Sequence, residues 1–182
     1  GSSAPLRGKK GSEYEGGVRV PFIASWAKPD TNNKFQKKYP IANNAVQLQQ
    51  GTVMDLYPTI LSVAGVKAKK HYPLDGSDLK KLLQGKADKK HRDDFLMHFP
   101  HGEHRANYFT TYRKGDWKLI YYYNPDTTGE PSWKLYNLKD DPYETTDLAE
   151  NQPEKVASMI ELMKERLTEE KALYPINKDE GI

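Results

Sequence analysis

Glycine and positive charge are interleaved near the start of the chain, in the segment GKKGSEYEGGVR (residues 8–19). The glycines allow the backbone to approach a ligand closely, and Lys9, Lys10 and Arg19 supply positive charge for an oxyanion. The segment is not a nucleotide-binding P-loop, since no glycine-rich run after a strand ends in Gly-Lys followed by Ser or Thr. Composition alone fits an exposed basic loop as well as an anion-contact loop.

A second group of chemically versatile side chains lies in MHFPHGEHR (residues 97–105), which contains His98, His101 and His104. Histidines three positions apart can bind a metal when their rings converge. Pro100 and the glycine that follows disfavour a helix here, so the rings need not share a face. A plain surface loop is therefore the alternative to a metal site.

The elements that would position these groups differ between the two halves of the chain. In the first half, residues 18–26 form a nearly continuous apolar run, which is typical of a strand buried on both faces. The chain offers few parallel partners for such a strand. The run TVMDLYPTILSVAG (52–65) predicts a helix ending at Gly65, and a short second helix is predicted over 77–84.

The second half is rich in β-forming residues. The runs NYFTTYR, DWKLIYYYN and SWKLYNL are separated by turn residues and predict a small antiparallel meander, with Tyr121, Tyr122 and Tyr123 packing on alternate faces. Pro153 marks the start of a helix. Its apolar residues recur every three or four positions on one face: Val156, Met159, Ile160, Met163 and Leu167. We expect this amphipathic helix to pack on the sheet.

Composition excludes several classes of protein. The 28 lysines and arginines nearly balance the 25 acidic residues, and a net charge of +3 does not suit a dedicated nucleic-acid binder. The absence of cysteine excludes disulfides and thiolate metal sites. No apolar run reaches the roughly 18 residues that a membrane span needs.

The order of residues in the first segment is more specific than its composition. Pro5-Leu6-Arg7-Gly8, then Lys10-Gly11, then residues 14–21 (YEGGVRVP) resemble a signature of the type I sulfatases in the alkaline-phosphatase-like superfamily. Four further blocks follow in that family's order: residues 55–65, 74–79, 115–119 and 135–144. The resemblance therefore extends from Pro5 to about Leu148.

The resemblance implies a role for Lys10. In sulfatases the lysine before the glycine of this signature reaches the sulfate, so Lys10 would neutralise charge on the sulfuryl oxygens in the transition state. Lys9 is expected to face solvent. Glu15 and Arg19 are expected to form a buried ion pair that holds the glycine turn.

The family also requires a formylglycine nucleophile, made from Cys or Ser in a (Cys/Ser)-x-Pro-x-Arg motif. Ser3-Ala4-Pro5-Leu6-Arg7 fits that motif. We interpret the match as a decoy, because the modified residue of the family lies far N-terminal to the lysine signature, at a helix start. Calcium is expected in the complete enzyme, but its Asp and Asn ligands cannot be placed here, so the chain alone should bind calcium poorly.

For the histidine segment, the resemblance adds a third possibility beside a surface loop and a metal site. In related sulfatases the equivalent loop lies at the mouth of the active site and can contact the sugar. His98, His101 and Arg105 would then be substrate-binding residues that donate hydrogen bonds to hydroxyls or a carboxylate.

The sequence thus predicts an α+β fold: the C-terminal part of an α/β sulfatase fold with a small antiparallel sheet packed by a C-terminal helix. Residues 1–90 would complete the large domain, and residues 91–182 would form a C-terminal subdomain. We expect a sulfated small molecule or glycan as substrate, the N-terminal sulfatase portion as partner, and a periplasmic or secreted location for the complete protein. The alternatives are a non-catalytic binding or structural module and a phosphonate or phosphodiester hydrolase.

Overall fold

The computed structural model describes residues 3–100, 108–123 and 132–174. The helices are α1 (Glu15–Val18), α2 (Lys34–Lys38), α3 (Leu56–Ala64), α4 (Lys80–Leu83) and α5 (Pro153–Glu169). The strands are β1 (Asp94–Phe99), β2 (Phe109–Lys114), β3 (Trp117–Tyr122) and β4 (Trp133–Asn137). Within the described residues, no helix is long and apolar enough to cross a bilayer.

The chain forms two compact units, one of Gly1–Val20 with Asp94–Ile182 and one of Pro21–Asp93. The sequence-based division placed the lysine segment in the first domain, whereas the structure groups it with the C-terminal residues. The physical reason is that Tyr14 packs in the same apolar cluster as Phe109 and Ile120 of the sheet. Tyr14 of the N-terminal segment therefore depends on the C-terminal segment for its burial.

The predicted meander is confirmed as a sheet with the strand order β1-β2-β3-β4 and antiparallel pairing throughout. β1 is an addition, because residues 97–99 were interpreted as part of a loop. It pairs along its whole length with β2, from Asp94 opposite Lys114 to Phe99 opposite Phe109. His98 consequently lies on a strand.

The two faces of the sheet carry different coverings. On one face, α5 buries Met159, Met163 and Leu167 against Leu119 and Leu135, as the helical periodicity predicts. Residues alternate between faces along a strand. The neighbours of Leu119 and Leu135 in sequence, such as Ile120 and Tyr136, therefore lie on the opposite face of the sheet. Tyr14 of the N-terminal segment packs on that face against Phe109, Ile120, Tyr122 and Tyr136.

The predicted buried strand over 18–26 is wrong. α1 ends at Val18, no strand follows within 19–26, and Val20 and Ile23 are 77% and 90% exposed. A strand requires neighbouring backbone groups to pair with, and the described residues provide none for this segment.

The unit Pro21–Asp93 contains α2, α3 and α4. A short 3₁₀ turn (Val53–Asp55) leads into α3, which ends at Gly65 with a φ of 70°, as the sequence predicts. The second predicted helix is shorter than expected and spans only Lys80–Leu83. Buried Asp55 accepts a hydrogen bond from the backbone N–H of Ser77 (2.8 Å) and thereby ties these segments together.

Candidate functional site

The lysine predicted to contact sulfate lies at the tip of a tight turn. The backbone N–H of Ser12 donates to the carbonyl of Lys9 (2.9 Å), and the N–H of Lys9 donates to Ser12 Oγ (3.2 Å). Lys10 lies between Lys9 and Ser12 in sequence. Lys10 and Lys9 are both exposed. We refer to residues 8–13 as the lysine loop.

Two glycines allow α1 to lie directly against the backbone around this loop. A β-carbon at Gly16 would lie 2.4 Å from the carbonyl oxygen of Arg7, and one at Gly17 would lie 2.1 Å from that of Ser12. Such distances are too short for any side chain, so the backbone contact requires glycine at both positions. The Gly16 N–H donates to the Arg7 carbonyl at 2.7 Å.

A buried ion cluster lies beneath the turn. Lys118 Nζ is 3.1 Å from Glu15 Oε1 and 2.7 Å from Glu144 Oε1, and Arg113 Nη1 is 3.6 Å from Glu15 Oε2. Lys118 and Glu144 are 1% and 0% exposed. Burial raises the pKa of the Glu144 carboxyl, and the adjacent Lys118 ammonium opposes that shift.

The expected ion pair between Glu15 and Arg19 is not formed. Arg19 is exposed, and the cations beside Glu15 are Lys118 of β3 and Arg113 of β2. The carboxylate of Glu15 points to the sheet because α1 packs on that face, while Arg19 follows the end of α1. The sequence prediction was right that Glu15 is buried in an ion pair and wrong about its partner.

Arg7 and Glu144 fix the other end of the loop. The Arg7 guanidinium donates to the Glu144 carbonyl oxygen (2.7 Å) and to the Tyr136 hydroxyl (3.3 Å). It also lies 4.0 Å from the centroid of the Tyr14 ring, in cation–π geometry. Glu144 Oε2 in turn accepts the backbone N–H of Glu15 at 2.7 Å.

A second buried polar group flanks the loop. The Tyr122 hydroxyl donates to Glu13 Oε1, and the Tyr14 hydroxyl lies 3.3 Å from that of Tyr122. Burial, with the charge of Glu13 next, raises the pKa of Tyr122, so its hydroxyl stays protonated as a donor. Lys134 Nζ donates to Tyr14 from the neighbouring strand (3.3 Å).

His98 lies on the α5 side of the sheet. Its Nδ1 is 2.7 Å from Thr110 Oγ1 and its Nε2 is 2.6 Å from the carbonyl oxygen of Leu173, just after α5. A carbonyl can only accept, so Nε2 carries a proton. Strand alternation places the Lys118 side chain on the face of Ile120, opposite to His98, so the structure does not bring His98 to the face that holds the lysine loop. His101 and Arg105 lie outside the described residues.

Ser3, the literal match to the nucleophile motif, lies in a turn. The Ser3 carbonyl accepts a hydrogen bond from the backbone N–H of Leu6 at 3.0 Å. Leu6 lies four residues before Lys10 in sequence. Among the described residues, no three His, Asp or Glu side chains are grouped so that they could hold a metal ion.

Sequence reasoning missed the roles of Lys118, Glu144 and Arg7. One signal was available for Lys118, because strand alternation places it on the same face as the buried Ile120 and Tyr122. A charged residue in that position requires a partner. The partner could not be named, since Glu15 is 103 residues away in sequence.

The chain is similar in sequence to known sulfatases. The family described as N-sulphoglucosamine sulphohydrolase, C-terminal, matches residues 9–172. A sulfatase from Formosa agariphila is 32% identical over 179 residues, covering 91% of this chain and 29% of that protein. N-acetylgalactosamine-6-sulfatase from Sus scrofa is 33% identical over 60% of this chain and 20% of its own length.

Solved structures show the same fold. Ps i-CgsB in complex with k-i-k-neocarrahexaose has a TM-score of 0.63 at 25% identity, over 89% of this chain and 32% of its own. A protein in complex with its substrate D-glucosamine-2-N,6-O-disulfate has a TM-score of 0.58 at 24% identity, over 72% of this chain and 26% of its own.

The chain spans less than a third of the length of these relatives. The family match covers most of the chain, and the fold agrees with it. The chain therefore belongs to the N-sulphoglucosamine sulphohydrolase C-terminal family and corresponds to the C-terminal portion of a sulfatase.

Proposed function

We propose that this chain forms part of an enzyme that hydrolyses sulfate esters and that Lys10 is its sulfate-contacting residue. The observation that carries the proposal is the construction of the lysine loop. Lys10 is exposed at the tip. On one side of it Arg7 is held by a part-buried hydrogen bond, and on the other side Glu15 is held by a buried hydrogen bond and an ion pair. An exposed cation on a rigid support suits contact with an anion that arrives from outside the unit.

The chemistry that Lys10 would perform is electrostatic. During hydrolysis negative charge develops on the oxygens around sulfur, and an ammonium already in place stabilises that charge without reorganising. The nucleophile would come from the rest of the enzyme. Calcium, when bound there, would supply a Lewis acid for the sulfate oxygens, with ligands outside this chain.

A sulfated carbohydrate is the proposed class of substrate. The support comes from relatives, which include an N-acetylgalactosamine-6-sulfatase and a protein solved with k-i-k-neocarrahexaose. We propose His101 and Arg105 as residues that contact the sugar. His98 would join them only by giving up its hydrogen bond to Leu173, since both of its ring nitrogens are engaged within the chain.

The N-terminal portion of the sulfatase is the proposed partner. The unit Pro21–Asp93 leaves several large apolar side chains exposed. They are Val53, Tyr57 and Ile60 in and just before α3, and Phe22 and Ile23 at the start of the unit. Tyr57 and Ile60 are three positions apart on α3 and so share one face of the helix, and an exposed apolar patch is typical of an interface. For the complete protein we propose a periplasmic or secreted location.

The test compares adjacent lysines in the complete enzyme that carries this chain. Lys10→Ala should lower kcat/KM for an aryl sulfate and a sulfated monosaccharide by about 100- to 1,000-fold, the usual effect of removing one group that stabilises developing charge. Lys9→Ala, the matched control, should stay within about threefold of the native enzyme, because an exposed lysine beside the site acts only through screened charge.

Equal effects of the two substitutions would contradict the role of Lys10. The chain of 182 residues by itself should show no turnover of aryl sulfate. Lys10-dependent turnover by the isolated chain would overturn the proposal that the nucleophile lies elsewhere.

A further inference from the structure

Glu144 contacts both sides of the lysine loop. Its carbonyl oxygen accepts from Arg7, three residues before Lys10, at 2.7 Å, and its carboxylate accepts from the Glu15 N–H, five residues after Lys10, at 2.7 Å. Lys118 then joins the carboxylates of Glu15 and Glu144. The C-terminal segment thus holds the loop at its two ends while its tip remains exposed.

The backbone of Glu144 is in an unusual conformation. Its φ of 56° lies in the left-handed region, which a glutamate seldom occupies. The surrounding contacts hold it there, and such residues are concentrated at functional sites. In this conformation the carbonyl and the carboxylate of one residue reach two different parts of the loop.

The chemistry of the cluster also differs from what burial alone requires. Apolar side chains at positions 15, 118 and 144 together would fill the same face of the sheet without the desolvation cost of an ammonium and two carboxylates. Charge-assisted hydrogen bonds have a preferred distance and direction, whereas the hydrophobic effect has no preferred direction. The cluster is therefore suited to setting the position of the loop.

We propose that Lys118 and Glu144 are positioning residues for sulfate ester hydrolysis, which hold the lysine loop so that Lys10 meets the sulfate. This inference rests on the proposed function of Lys10. Misplacement of a catalytic group by about 1 Å can lower a rate by about 100-fold, so a small shift of the loop would be measurable.

The test is kinetic and uses the complete enzyme. Glu144→Gln keeps the size of the side chain and an acceptor for the Glu15 N–H but removes the charge that pairs with Lys118. Lys118→Met removes the cation, and Lys118→Arg restores it. All rates are measured at a temperature well below the unfolding transition of every variant.

We expect Glu144→Gln and Lys118→Met to lower kcat by about 10- to 100-fold with a smaller change in KM, and to weaken inhibition by inorganic sulfate. Lys118→Arg should recover part of the lost kcat. Hydrogen exchange of residues 8–17 should quicken in the two damaged variants, while exchange in α5 stays unchanged. The matched control is the exposed pair on α5, where Lys164 lies 3.1 Å from Glu161: Lys164→Met and Glu161→Gln should leave kcat unchanged.

Lys10→Ala is measured in parallel to separate the two proposals. If it lowers turnover while Glu144→Gln and Lys118→Met keep native kcat in the folded enzyme, the positioning role is overturned and the proposed function stands. If Lys10→Ala has no effect, the proposed function fails, and the positioning role fails with it. A fall in thermal stability with unchanged kcat would assign Lys118 and Glu144 to folding alone and would also overturn the inference.

Discussion

The two faces of the four-stranded sheet are packed by different means. On the α5 face, methionines and leucines meet in an apolar cluster that includes Met163, Leu119 and Leu135. On the opposite face, the N-terminal segment meets the sheet through tyrosines and through the buried ions of Glu15, Lys118 and Glu144. Both faces exclude water, but only one uses directional contacts.

The two kinds of packing contribute differently, because the apolar face supplies stability and the ion cluster sets the position of the lysine loop. Apolar burial stabilises in proportion to the area removed from water and has no preferred direction. A buried ion cluster adds little net stability, because desolvation offsets the attraction between the charges. It does penalise displacement of any one member, and the exposed lysine of the candidate site lies on the face that has this property.

The largest expected effect comes from removing the shared cation. Lys118→Met leaves the carboxylates of Glu15 and Glu144 buried together, with Arg113 at 3.6 Å from Glu15 as the adjacent cation. We expect a loss of about 3–5 kcal/mol in the free energy of unfolding, the usual cost of breaking a buried ion pair. Urea denaturation of the chain measures it.

Adding Glu144→Gln to Lys118→Met makes the comparison sharper. With Lys118 and Glu144 both uncharged, Glu15 keeps Arg113 as its cation at 3.6 Å, and much of the lost stability should return, since replacement of a whole buried pair is often nearly neutral. Protection of residues 8–17 from hydrogen exchange should not return with it. If stability and protection recovered together, the ion cluster would contribute only stability, as the apolar face does, and would not set the position of the loop.

The second prediction concerns the residue next to Lys118 in sequence, whose side chain lies on the α5 face. Leu119 is fully buried, and Leu119→Ala should cost about 3 kcal/mol through lost burial and a residual cavity. Hydrogen exchange should increase in α5 and the strands, with no selective change in residues 8–17. A selective loss of protection in the lysine loop would contradict the assignment of the two faces.

The α5 face could be predicted from the sequence because its signals are local. The spacing of Met159, Met163 and Leu167 shows the buried side of a helix, and Pro153 marks its start. The strand predicted over residues 18–26 failed for the opposite reason. Its apolar composition was clear, but strand formation depends on neighbours that no local pattern supplies.

The lysine-loop face could be predicted only in part. Family resemblance singled out Lys10, and the buried state of Glu15 was anticipated. The partners of Glu15 were not, because Lys118 and Arg113 come from strands about a hundred residues away and only the folded sheet places them beside it. Glu144 offered no signal in composition or spacing, since its contacts run through its backbone as well as its side chain.

The smallest expected effect is a pH dependence confined to the charged face. Lys118, Glu15 and Arg7 lie beside Glu144, and Arg113 contacts Glu15 within the same cluster. Burial raises the pKa of the Glu144 carboxyl above its ordinary value of about 4.3. Between the unfolded and the native pKa of this carboxyl, the native state binds more protons than the unfolded state. The contribution of Glu144 to stability is therefore full at lower pH and is lost as pH rises through the native pKa.

The stability advantage of the native chain over Glu144→Gln should therefore shrink with rising pH, as measured by urea denaturation from about pH 4 to 8. Leu119→Ala, which changes no titratable group, should give a difference that does not change with pH in this window. An advantage that grows with pH would mean that Lys118 outweighs burial, so that the ion cluster adds stability as well as geometry.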